Sequence, residues 1–117
     1  MELAAQIVVG LVALIHFYIL VLEMFLWRTD RVRATFGTSA EFAEESAALA
    51  ANQGLYNGFL ATGLAYGLVT DDLKFQVFFL SCVIVAGIYG ALTATRKILF
   101  VQVIPGALGL LLVLLAY

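Results

Sequence analysis

Charge is what this sequence has least of. Six Lys and Arg and eight Asp and Glu make up only 12% of its 117 residues, where a soluble domain carries about a quarter. With a net charge of −2 and no basic stripe to displace counterions, a nucleic-acid partner is not expected. Histidine, cysteine and proline occur once each. A lone Cys82 excludes an intrachain disulfide. One histidine without a cysteine partner excludes an ordinary zinc site and leaves haem without a second axial ligand, so no metal or cofactor is expected. Phosphate-loop, dinucleotide-binding and serine-nucleophile signatures are also absent.

What fills the chain instead is oil: 64% of its residues are hydrophobic. A water-soluble fold this small has too much surface to bury that fraction. Four runs are long enough, at about 20 apolar residues, to cross a hydrocarbon core about 30 Å thick. They are Leu3 to Trp27, Leu49 to Val69, Phe75 to Ala94 and Ile98 to Tyr117. None alternates as transmembrane strands do, so the expected fold is all-α, a single domain of four transmembrane helices. The first run opens Met1-Glu2 without a basic segment and is read as a permanent span rather than a cleaved signal.

The one sizeable polar stretch is residues 28–48, read as an amphipathic cytoplasmic connection. Within it Thr38-Ser39-Ala40-Glu41 has the form of a capping box, with Thr38 as N-cap and a helix running on into the second span. Glu41, Glu44 and Glu45 then lie on exposed first turns. Arg28, Arg31 and Arg33 fall in the first connection, Arg96 and Lys97 in the third, and only Lys74 in the second. The positive-inside rule places connections one and three in the cytoplasm and both termini outside.

Polar residues inside the runs are costly in lipid and tend to face protein or a pathway. Counted at 1.5 Å per residue from the cytoplasmic ends, Glu23, Gln53 and Gln102 lie about 6 Å deep, Asn57 about 12 Å and His16 about 16 Å. Asn52 and Tyr56 flank Gln53 and Asn57 on the second run. His16 and Glu23 share a helix face two turns apart. The candidate ligand site is therefore His16, Glu23, Asn52, Gln53, Tyr56, Asn57 and Gln102. Gly54-x-x-x-Gly58 and Gly63-x-x-x-Gly67 mark two close-packing faces on the second run. Gln102, Gly106, Gly109 and Val113 form a stripe on the fourth, where Pro105 is expected to bend the helix and free the Val101 carbonyl.

His16-Phe17-Tyr18, Leu22 to Trp27, Phe42-Ala43-Glu44-Glu45, the stretch Ala50 to Ala61 around Asn52-Gln53-Gly54-Leu55-Tyr56-Asn57-Gly58-Phe59, and Tyr89 to Thr93 with Gln102 and Pro105 together resemble the bacterial membrane family DUF1304. The resemblance covers nearly the whole chain. It implies a four-span protein of about this length and brings no assigned activity.

Three readings of the polar residues stay open. The first is a transporter or binding protein for a small solute, cationic or proton-coupled, built on Glu23; so thin a protomer then calls for a homodimer. The second is an intramembrane enzyme, or a lipid- or quinone-binding module, in which Glu23 and His16 act as acid and base. The third is a structural subunit in which the amides only fix helix register. The lipid bilayer is the expected partner in all three.

Overall fold

The computed structural model describes residues 2–117. The chain is all-helical, with no strand among the described residues. Its elements are α1 (Leu3–Met24), α2 (Asp30–Phe36), α3 (Ala40–Val69), α4 (Leu73–Thr93), a π-helical turn (Leu99–Val103) and α5 (Ile104–Ala116).

Three helical stretches are long and apolar enough to cross a membrane: Leu3–Met24, Leu73–Thr93 and Leu99–Ala116, with mean hydropathies of 2.4, 2.1 and 2.5. Only 28, 22 and 17% of their apolar windows are buried inside the protein. Side chains such as Leu14, Leu92, Phe100 and Leu115 are 64–81% exposed, so water is a poor solvent for these surfaces. Four such helices were expected; α3 does not join the other three on hydropathy. At 30 residues it is long enough, but Ser46, Asn52, Gln53 and Asn57 dilute its apolar character.

Short helix α2 lies inside the stretch read from the sequence as a connection. Thr29 starts it: the hydroxyl donates to the Leu26 carbonyl (2.7 Å) and accepts the Val32 N–H (3.4 Å). Gly37 ends it in the left-handed conformation, φ 69°, which glycine reaches without a Cβ clash. The Thr38 N–H also closes back on the Arg33 carbonyl at 3.0 Å. Thr38 Oγ1 makes no hydrogen bond among the described residues, and the cap of α3 falls one residue later than expected. Ser39 Oγ accepts the Phe42 N–H at 3.1 Å.

The chain divides into two compact units. One holds the residues up to Ile15 together with Leu60–Tyr117. Its core is Ala5, Val9, Val12, Ala13, Leu64, Leu80, Val83 and Val113. Gly106, Gly109 and Val113 are the buried face of α5, as their stripe in the sequence requires. Ahead of Pro105, the Ile104 N–H reaches back to the Leu99 carbonyl, the wide step of a π-turn. Proline supplies no N–H to continue the ordinary ladder, so the helix changes register there. At the α3–α4 turn Asp71 is left-handed (φ 51°) and Asp72 caps α4 by accepting the Phe75 N–H. The C-terminal Tyr117 hydroxyl donates to the Asp71 carboxylate. That bond holds the phenol above its ordinary pKa.

The second unit is His16–Phe59. It contains the C-terminal part of α1, all of α2 and the first two-thirds of α3. The candidate site is built here.

Candidate functional site

Within this second unit α1 and α3 touch where α3 has no side chains. A Cβ on Gly54 would stand 2.8 Å from Met24 Cγ, 3.1 Å from Glu23 Cβ and 3.2 Å from the Leu20 carbonyl. A Cβ on Gly58 would strike the Leu20 side chain. The Gly54-x-x-x-Gly58 face is therefore a close helix crossing inside the chain.

That closeness brings a carboxylate and an amide together. Asn57 Nδ2 donates to Glu23 Oε1 at 2.8 Å and, more weakly, to the Gln53 carbonyl at 3.2 Å. Both side chains are partly buried. The second carboxylate oxygen, Oε2, takes no hydrogen bond among the described residues.

Beyond Glu23 the chain leaves α1 and turns at Phe25 to Thr29 toward α2. Trp27 Nε1 donates to Ser46 Oγ of α3 at 3.1 Å, and the indole packs on Phe36 with ring centroids 5.1 Å apart. One nitrogen of Arg28, Nη1, donates to both carboxylate oxygens of Glu44, at 3.0 and 3.1 Å. The turn and α3 enclose an open cleft of about 460 Å³ between them, lined by Glu23, Met24, Phe25, Trp27, Arg28, Thr29, Ala47, Ala48 and Ala51. This volume lies within the range of small-ligand sites.

The residues expected to form one polar layer are distributed as follows. Glu23 and Asn57 are joined directly, and Gln53 contributes its backbone carbonyl. Asn52, Gln53 and Tyr56 have exposed side chains, and Tyr56 lies edge-on to Phe59, with centroids 5.7 Å apart. His16 is fully buried on α1. Gln102 belongs to the other unit, where its Nε2 donates to the Val83 carbonyl of α4 at 2.9 Å. Gly87 makes room for it: a Cβ there would lie 2.7 Å from Val103 Cγ2 and 3.1 Å from Gln102 Cγ. Among the described residues no three of His, Cys, Asp and Glu are grouped to hold a metal.

Sequence reasoning missed the contributions of Trp27, Arg28, Glu44 and Ser46. Trp27 does sit on the His16–Glu23 stripe, which was a signal. The Arg28–Glu44 pair joins residues on different elements, and neither the positive-inside pattern of the arginines nor the helix-dipole pattern of the glutamates links them.

An all-helical chain with three membrane-length apolar helices and a carboxylate-lined cleft defines a small helical protein of membrane type. The sequence profile described as "Protein of unknown function (DUF1304)" matches residues 10–114, and the chain belongs to the DUF1304 family. It is similar to the uncharacterised protein YpaA of Lactococcus lactis subsp. lactis (strain IL1403), with 34% identity over 96 residues, covering 79% of this chain and 81% of the relative. No solved structure matches the chain.

Proposed function

We propose that this is a four-span membrane protein that binds a small solute carrying a cationic group in the cleft beside Glu23. The observation that carries the reading is the carboxylate itself. One oxygen is fixed by Asn57 while the other is unengaged, at the wall of an open cleft of about 460 Å³. A carboxyl group used only to bind helices together has no need of a cavity beside it.

As a fourth span α3 is long enough: 30 residues extend about 45 Å, more than a hydrocarbon core requires. Of its amides, Asn57 is made tolerable in lipid by its bond to Glu23. The clustering of Arg28, Arg31 and Arg33, and of Arg96 and Lys97, supports an inner-membrane orientation with both termini outside. The cleft then opens toward the cytoplasmic side. A pathway across the bilayer would require a homodimer of so slender a protomer, and scattering mass in detergent reports it.

The test is thermal shift and calorimetric titration of purified protein with small ammonium ions, followed by proteoliposome flux. Saturable binding that is lost in Glu23→Gln is the expected result. If Glu23→Gln matches the wild type in ligand response, fold and phenotype, the carboxyl is packing glue and the protein is a structural subunit.

A further inference from the structure

We infer that the ligand of this cleft is a zwitterion, its ammonium group held by Glu23 and its carboxylate or phosphate group by Arg28. This inference rests on the Glu23 reading above and specifies its substrate class.

The cleft wall carries one acid and one base. A purely cationic solute drawn to Glu23 would enter beside the guanidinium of Arg28, and like charges in one site disfavour that ligand. A ligand bearing both charges turns the same guanidinium into an attraction.

Arg28 also has the capacity. A guanidinium presents five N–H donors, yet here a single nitrogen serves both oxygens of Glu44. The parallel two-nitrogen fork that makes arginine–carboxylate pairs strong is not used. The remaining donors, on Nη2 and Nε, make no hydrogen bond among the described residues. The existing pair is also exchangeable. Its side chains are 61 and 70% exposed, and exposed ion pairs hold weakly.

Glu23 mirrors this arrangement, with Oε1 taken by Asn57 and Oε2 open. Apart from Thr29, the rest of the lining is largely apolar, from Met24, Phe25, Trp27 and the alanines 47, 48 and 51. That suits the short hydrocarbon spacer of an amino acid or of a phospholipid headgroup. Those are two sources of one chemistry.

The experiment uses the full chain in a nonionic detergent with three matched probes: ethylammonium, β-alanine, and micellar short-chain phosphatidylethanolamine. β-Alanine is ethylammonium with a carboxylate added, so the pair isolates the second charge. The expected result is that wild type binds β-alanine or the lipid about tenfold or more tighter than ethylammonium, the scale of one charge-assisted hydrogen bond. In Arg28→Gln that preference collapses to about one. In Glu44→Gln, an exposed substitution that frees the guanidinium, it rises.

Tight binding of the lipid alone identifies a headgroup site, and β-alanine binding that the lipid does not displace identifies a free solute; either supports the proposal. Equal binding of ethylammonium and β-alanine in wild type overturns the zwitterion while leaving the cation-binding function standing. No binding of any probe overturns both.

Discussion

Gly54 shows how much depends on one missing methyl group. In an ordinary helix interior, Gly→Ala gains about 1 kcal/mol of propensity. Here the new Cβ would meet Glu23 Cβ at 3.1 Å and the Leu20 carbonyl at 3.2 Å, and neither is the free end of a flexible chain. Overpacking of that kind costs about 1–3 kcal/mol, so the sign reverses. Gly54→Ala is expected to lower the thermal midpoint in detergent and to weaken ligand response at Glu23; a raised midpoint would contradict the close crossing. That Glu23 and Asn57 are both candidate site residues was legible in the sequence; their direct bond, and the face on which Asn57 lies, were not. In the sequence Asn57 falls among Asn52, Gln53 and Tyr56. At about 100° per residue, however, Asn57 falls about 60° from Gly54, whereas Asn52 and Tyr56 fall about 160° away. The buried side of α3 is the glycine side, and that choice requires knowing which face α1 occupies.

The π-turn packs on α4 within the unit that holds Leu60–Tyr117. Gln102 reaches the Val83 carbonyl because Gly87 leaves a gap and the wide turn before Pro105 sets the register. These two features differ in weight. Gln102→Leu removes one hydrogen bond, worth about 0.6 kcal/mol for interhelical pairs in membranes. Gly87→Val forces a branched side chain against Val103 and costs about 1–3 kcal/mol. Equilibrium unfolding should therefore rank Gly87→Val well below Gln102→Leu. The reverse order would mean that the amide, not the close approach, holds this crossing. Pro105 was readable as a perturbation, but the form it took was not. Proline dictates only that one N–H is missing, and packing on α4 decides whether the helix kinks or widens. Helix α2 is a similar case. Thr29 and Gly37 are ordinary start and stop signals, passed over because seven residues lie below the length at which periodicity becomes visible.

For the molecule as a whole, the four-span topology makes a claim about sides. With Cys82 replaced by serine, single cysteines at positions 33 and 96 are expected to label from the cytoplasmic face of inverted vesicles and a cysteine at position 72 from the opposite face. Labelling of 33 and 72 from the same side would remove α3 as a span. From the sequence four apolar runs count alike as spans; in the structure three of them form helices apolar enough to cross a membrane, and the amides of α3 dilute the remaining one. Those amides bear on how the protein is made. A ribosome-bound insertion machine judges each segment as it emerges, and α3, burdened with Asn52, Gln53 and Asn57, is the segment least able to partition into lipid unaided. On the four-span reading α1 is already waiting when α3 arrives, holding a carboxylate for Asn57 and a groove for Gly54 and Gly58. The bond at the candidate site would then act first as an assembly handle during biogenesis, before any ligand reaches it.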